Sequence, residues 1–434
     1  MASRSGADTA GSASDPDVAT GHSGEFEVIA ALQARFEAAA GRTAPPGEIW
    51  IGDDAAVVAD SGDRPLLLAT DLVVAGVHVD VNLCTLADLG FKAVMVTVSD
   101  LAAMGGQPEH LLVSVAAPPG TDLDELGSGV AEAATATGSI VVGGDLSSAP
   151  ALVVSVAAIG SIPLSLESGV LTGVSPGQDA GFGQDVGAGQ GPAAGYRSGP
   201  AQDAAGQGSE PGQGSEPGQA AGGGQPAGAG QAAGAGKAAG AGKAAGAGQG
   251  GGAGGTGLHP DPLTRSGARV GDTLFVTGPL GSSAAGLRIL RGARGEAEPG
   301  DTEGSMTSML VQAHRRPVAR LAEGEAARLA GATAAIDISD GLAADVRHLA
   351  DASGVGIALD HVPVAMGATD EEALGGGEDY ELIIATGDPE GLVIAFESAG
   401  LRGPIAIGRC TDDPGERMLA GTDLPDLGWR HLFG

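Results

Sequence analysis

Between about Pro163 and Pro260 the chain carries almost nothing that a core could bury. Gly, Ala, Gln, Ser and Pro dominate, GSEPGQ occurs twice in succession from Gly208 to Gln219, and GAGKAA recurs at Gly234 and Gly240. Such a stretch cannot bury enough apolar area to offset its chain entropy, so the sequence predicts a disordered insert over 163–260. Free in solution, a flexible coil of that length spans roughly 50–60 Å. Its closure costs only about 2 kcal/mol more than that of a ten-residue loop. A fold can therefore carry it as a connection, but cannot use it as a layer. The Gly-Lys pairs at Lys237 and Lys243 lack the spacing and the following Ser or Thr of a phosphate-binding loop, and read as part of the repeat.

The residues left over form two blocks, 23–162 and 261–434, each of single-domain size. Residues 1–22 read as a disordered tail with no apolar stretch of the signal-peptide kind. In the first block, apolar runs rich in Val, Leu and Ile predict strands at Pro65–Thr70, His110–Ala117, Ser139–Val142 and Leu152–Ile159. Helices are expected from Leu86 toward Met104, on the spacing of Leu86, Leu89, Ala93 and Val96, and over Asp122–Thr137. In the second, strands are expected at Thr273–Thr277, Ala334–Ile338, Gly356–Leu359, Glu381–Ala385 and Pro404–Ile407. Helices are expected over Ser283–Leu290, Met309–Leu329, Leu342–Ala352 and Pro389–Ala399. The fold class that follows is mixed α/β in two domains.

Aspartates stand at the ends of these apolar runs: Asp53 and Asp54 in IGDDAAVV, Asp71 in LLLATD, Asp100 in VTVSD, Asp145 in IVVGGD, Asp337 and Asp340 in AAIDISD. Carboxylates in such places suit a hard cation, which takes oxygen ligands and often shares them with substrate phosphates. Asp100 is the most telling, because an acid inside an apolar helix needs a partner, and either a cation or Lys92 would serve. The other motifs also admit plain readings. Gly52-Asp53-Asp54 and Gly143-Gly144-Asp145 fit ordinary turns, Asp340 fits a helix cap, and His78 after Thr70-Asp71 fits a structural histidine. The turn from Thr277 to Ser283 ends at a helix start whose amides suit an anion, and Gly375-Gly376-Gly377 before Glu378-Asp379-Tyr380 suggests close backbone approach. Overall charge excludes other classes: 54 acids against 22 Lys and Arg give −32, which argues against nucleic acid or anionic membrane as partner. Two cysteines point to a reducing, cytoplasmic setting without disulfides. No apolar run is long enough to span a bilayer.

In order, GDDAAVV, TDLVVAGVH, FKAVMVTVSDLAAMGGQP, VVGGDLSS, LTRSGARVGD, VTGPLGSSAAGL, AIDISDGLAADVRHL and ALGGGEDYEL resemble the thiamine-monophosphate kinases. These belong to the superfamily that includes aminoimidazole ribonucleotide synthetase, selenophosphate synthetase and the hydrogenase maturation dehydratase. The likeness covers both blocks and skips the insert. It implies an N-terminal ATP- and metal-binding domain whose strands form a barrel across a homodimer, and a C-terminal α/β domain. It implies Mg²⁺ at Asp54, Thr70, Asp71, Asp100, Asp145, Asp337 and Asp340, with Ala69 offering only backbone oxygen where the family commonly has Ser. Gly144, Asp145, Arg265 and Ser339 match ATP contacts, Asp340 and Asp145 catalytic acids, and His78, Glu378 and Trp429 the thiamine-phosphate site. Val79, Thr97 and Leu146 also depart from the family's common residues.

The implied reaction is direct transfer from ATP to the phosphate of thiamine monophosphate, an acceptor already largely ionised at neutral pH. Selenophosphate synthetase is disfavoured by the lack of an N-terminal reactive Cys, and the maturation enzyme by the missing terminal Cys. Aminoimidazole ribonucleotide synthetase, or a scaffold organised by the insert, are the alternatives. Replacing Glu167–Leu258 with a short Gly/Ser linker is expected to leave ATP affinity and most turnover intact. A folded deletion variant that has lost ATP affinity, measured by calorimetry, would show that the insert enters the site.

Overall fold

A computed structural model describes residues 23–24, 29–30, 33–35, 43–59, 65–163, 261–296, 306–430 and 432–433. The stretch read as a tail and all but the first residue of the stretch read as an insert, Lys237 and Lys243 included, lie outside these residues.

The first block contributes β1 (Ser23–Gly24), β2 (Ala56–Ala59), β3 (Pro65–Val74), α1 (Leu86–Ala103), β4 (Gln107–Ala117), α2 (Leu123–Thr137), β5 (Ile140–Ser148) and β6 (Val153–Ser161). Strands β2-β3-β6-β4-β5 form one sheet, antiparallel except for the β4–β5 pair. Within one chain this sheet is open, with β2 and β5 at its edges. Helix α1 starts at a capping box, Thr85 and Asp88 satisfying each other's amides. Beyond its first turn it is buried on nearly every side, from Leu89 to Ser99 without interruption, so it has no solvent face in the ordinary amphipathic sense. It packs on α2 and on β3 and β6, and reaches the second block. Two glycines allow the α1–α2 approach. A Cβ on Gly90 would lie 2.2 Å from the Leu126 carbonyl oxygen, and one on Gly129 1.8 Å from that of Ala87.

The second block contributes β7 (Thr273–Val276), α3 (Ser282–Glu296), α4 (Met306–Arg315), α5 (Leu321–Leu329), β8 (Ala334–Asp337), α6 (Leu342–Ser353), β9 (Gly356–Leu359), α7 (Asp370–Gly375), β10 (Leu382–Thr386), α8 (Pro389–Ser398), β11 (Ile405–Thr411), β12 (Arg417–Leu419), β13 (Thr422–Asp423) and β14 (Leu432–Phe433). Seven of its strands form a sheet of order β13-β12-β9-β11-β7-β10-β8, and β14 pairs with β1. Strand β8, at one edge, lies against α1. That contact brings the Asp337 end of the second sheet to the helix that carries Asp100.

The sequence expectations hold for most elements, with differences that have local causes. The helix expected over Met309–Leu329 is two, because Pro317 has no amide to donate and its ring clashes with the preceding turn. The strand expected to end at Val142 continues to Ser148. Gly143 and Gly144 lie inside it, opposite Leu112 and Val113, next to a bulge that leaves Val142 of β5 without a partner in β4. Strands β1, β2, β12, β13 and β14 and helix α7 were not expected, being too short for a periodic pattern to register.

The Gly129 contact yields a direct test. Gly129→Ala is expected to force α1 and α2 apart and to lower stability by about 2 kcal/mol, read as a lower melting temperature in calorimetry. An unchanged melting temperature would mean the helices have more room than these distances give.

Candidate active site

Four elements converge on one small volume. Asp54 comes from the loop before β2, Asp71 from mid-β3, Asp100 from the last turn of α1 and Asp337 from the end of β8. One carboxylate oxygen from each of Asp54, Asp100 and Asp337 lies within 4.8 Å of the others. Asp71 faces the same volume, close to Asp337, Asp100 and Thr97. Asp54, Asp100 and Asp337 stand where a loop, helix or strand leaves the core, whereas Asp71 reaches the same volume from within β3.

Burial and mutual repulsion oppose ionisation here. Burial, followed by the Asp337 charge, pushes Asp71 up to about 6. Asp100 is raised well above the ordinary carboxylate range by burial and then by Asp71, Asp337 and Asp54. Asp54, whose side chain is only 3% exposed, is raised by burial against the opposing pull of Arg265. Partial compensation is built in. Arg265 Nη2 pairs with Asp54, its backbone amide donates to Asp53 at 3.3 Å, and the Ser99 hydroxyl donates to Asp337 Oδ2 at 2.6 Å. Even so, Asp54 Oδ2 and Asp71 Oδ2 are buried oxygens with no hydrogen-bond donor. Orphaned carboxyl oxygens beside two further carboxyl groups are a donor set that a hard divalent cation satisfies and a hydrogen-bonded core does not. The residues present therefore fit a magnesium-like ion.

Beside this cluster run two loops of the second block. Asp340 stands between β8 and α6, and its oxygens lie within 4.8 Å of groups on Asp345 and His348. The cap reading of Asp340 does not hold. Asp345, from inside α6, takes the amides of Asp340 and Gly341 at 3.1 and 3.0 Å. The glycine-rich loop packs directly on that segment: a Cβ on Gly377 would be 2.6 Å from the Ser339 carbonyl oxygen, which itself accepts the Glu378 amide at 2.7 Å. The anion-binding reading of the Thr277–Ser283 turn is also corrected. The amides of Gly281 and Ser283 already donate to the Asp379 carboxylate, at 2.7 and 3.3 Å.

Other expected site residues are placed as follows. Thr70 is exposed on β3 and donates to the Val156 carbonyl at 3.0 Å, and neighbouring Ala69 is buried. His78 Nδ1 accepts the Val74 amide at 3.1 Å, which fixes the ring after β3. Asp145 and Gly144 lie exposed in mid-β5, outside the groups of clustered acids, and not at a strand end. Trp429 is 51% exposed, its amide on the Asp340 carbonyl at 3.0 Å, so it flanks the Asp340 loop. Lys92 does not serve Asp100. It pairs with Glu378 at 2.6 Å. Sequence reading passed over Asp345 and His348, though their three-residue spacing places both on one face of α6. It also passed over Ser99 as a donor and over His314, for which no local signal exists.

The geometry can be set beside known proteins. The AIR synthase related protein N-terminal domain matches residues 52–162, and the C-terminal domain of the same family matches residues 269–420. A Mycobacterium tuberculosis protein named thiamine-monophosphate kinase is 28% identical over 422 residues, 95% of this chain and 92% of that protein. One of the same name from Bacillus subtilis is 27% identical over 403 residues, 89% and 94% of the two chains. Among solved structures, AaThiL complexed with AMPPCP and TMP superposes with a TM-score of 0.61 at 25% identity, covering 94% of this chain and 97% of that one.

The raised carboxyls set a pH dependence. The folded state holds Asp71 near 6 against 3.8 unfolded, so it favours the protonated form. Its contribution is present below about pH 4 and is lost as pH rises through 6, an effect on the order of 3 kcal/mol. In EDTA, the melting temperature is expected to fall between pH 4 and 7, and Asp71→Asn is expected to reduce that fall. Equal pH profiles for the two proteins would remove Asp71 from the buried cluster.

Proposed function

The chain belongs to the AIR synthase related protein family, and from that premise we propose that it transfers the γ-phosphoryl group of ATP to the phosphate of thiamine monophosphate, releasing ADP and thiamine diphosphate. The observation that carries this reading is the near full-length match to proteins named thiamine-monophosphate kinase, from Mycobacterium tuberculosis and Bacillus subtilis. The site supports it chemically. Two polyanions must meet where carboxylates far outnumber basic side chains, an arrangement that works only with cations between protein and phosphates.

Asp54, Asp71, Asp100 and Asp337 would hold Mg²⁺, with Asp340 and Asp145 further ligands on the resemblance. A bound Mg²⁺ supplies positive charge against the phosphate oxygens. The chain's own residues do the rest. Ser99 orients Asp337, Arg265 offers a guanidinium at the cluster's edge, and Gly144 and Ser339 are assigned to ATP. His78, Glu378 and Trp429 are assigned to the acceptor, with Glu378 and Trp429 both anchored on the Ser339–Asp340 backbone. No general base is needed. An oxygen of the acceptor phosphate attacks the γ-phosphorus, the bond to the β-phosphate oxygen breaks, and ADP carries away the charge.

The same reading includes a homodimer, a two-domain division at the insert and a cytoplasmic setting. Support for the dimer is the edge strand β5, exposed along all nine residues, with Ile140, Val142 and Leu146 each more than half exposed. A second copy laid on this strand would close the open sheet toward a barrel. Both cysteines are free, and among the described residues no helix is long and apolar enough to cross a membrane.

Incubation with ATP, Mg²⁺ and thiamine monophosphate is expected to give ADP and thiamine diphosphate in equal amounts by chromatography. AMP as co-product would mean pyrophosphoryl transfer. Thiamine is expected to be a poor acceptor, since its alcohol needs a general base and no residue is assigned that role here. Comparable turnover of thiamine would sink that part of the mechanism.

A further inference from the structure

Away from the acid cluster, the buried charge that stands out is Lys92. Its side chain, on α1, is 4% exposed, and its ammonium meets Glu378 Oε1 at 2.6 Å and the His314 carbonyl oxygen at 3.3 Å. A buried ammonium is tolerated only when paired. The second carboxylate oxygen of Glu378 faces His314 Nδ1 at 3.4 Å, and the same nitrogen lies 3.0 Å from Ser283 Oγ. Burial first, and then Lys92, pushes His314 down to about 4, so the positive charge facing Glu378 comes from Lys92.

Glu378 is held from its backbone as well. Glu378 and Tyr380 adopt φ of 58° and 50°, left-handed values that residues with side chains keep only when their surroundings enforce them. The enforcement is the pair of bonds from the Glu378 amide to Ser339 and from the Tyr380 amide to the Ile338 carbonyl, at 2.7 and 2.9 Å. Despite these restraints, the Glu378 side chain stays 27% exposed. A strained, charge-paired carboxylate with one accessible edge is built to present that edge to something.

The helix supplies a scale. Lys92 and Asp100 are eight residues apart on α1, about 12 Å along the axis. A ligand with its phosphate at the acid cluster and its ring system near Glu378 would have to span about that distance. We propose that Lys92 is the positioning residue for acceptor recognition: its ammonium anchors one side of the Glu378 carboxylate, so that the exposed edge faces the positively charged ring portion of the acceptor. This rests on the thiamine-monophosphate reading above, and adds to it a residue that acts through Glu378 without touching substrate.

The test is a double-mutant cycle on the full chain with Lys92→Met, Glu378→Gln and the pair together. Acceptor KM, ATP KM, kcat and melting temperature are read for each. Lys92→Met is expected to raise acceptor KM about tenfold or more, to leave ATP KM within about twofold, and to lower the melting temperature by about 6 °C or more. The double variant is expected to match Glu378→Gln in acceptor KM and to recover part of the lost melting temperature. Unchanged acceptor KM in folded Lys92→Met, or losses that multiply in the double variant, would overturn the proposal. If Lys92→Met does not fold, the double variant against Glu378→Gln decides: equal KM supports it and a further rise overturns it. A wild-type protein inert toward thiamine monophosphate would instead overturn the functional reading, and the charge pair would then stand or fall on the melting temperatures.

Discussion

Like charges held close together in a poorly hydrated place are the constraint around which this fold is organised. Two carboxylates about 5 Å apart at an effective dielectric of 20 repel by roughly 3 kcal/mol, and here Asp54, Asp71, Asp100 and Asp337 share one pocket. No single element could place four acids so. The protein draws them from a loop, a strand and a helix that share one apolar core, and from a strand of the other sheet anchored in a second core. Stability lost at the cluster is made good by burial elsewhere, above all around α1, which is the usual relation between a site and its scaffold.

Much of this was legible in the sequence because the signals are local. An aspartate at the end of an apolar run reports where an element leaves the core for Asp54, Asp100 and Asp337, while Asp71 joins the same group from within β3. Asp145 stood out for the same reason but sits in mid-strand on an exposed edge, since two glycines that suggest a turn also permit close strand pairing. What was not legible depends on partners far apart in the chain. The Ser99–Asp337 bond joins residues 238 apart, and Lys92 chose Glu378 over Asp100 because the glycine-rich loop folds back across α1. Likewise the helix start after β7 was free on paper and is filled by Asp379 in the fold.

The two halves of the site are chemically distinct although they share a helix. At the Asp100 end, carboxyl oxygens lack donors and call for a cation. At the Lys92 end, the Lys92 ammonium and the Glu378 carboxylate answer each other, and burial with Lys92 pushes His314 down to about 4. One end therefore suits phosphate brought in with metal, and the other suits an organic group recognised by shape and a single carboxylate.

Helix α1 leaves little room for neutral drift. Its residues from Leu89 to Ser99 are buried without a break, and within that span and the next residue lie Lys92, Ser99 and Asp100, which meet charged groups of other elements. A deep mutational scan should show this helix as an almost continuous block of intolerance. The changes that survive there should do so only alongside second changes in the Glu378 or Asp337 loops. In genetic terms the helix is a hub of epistasis, and substrate preference in this lineage would shift through paired substitutions in preference to single ones.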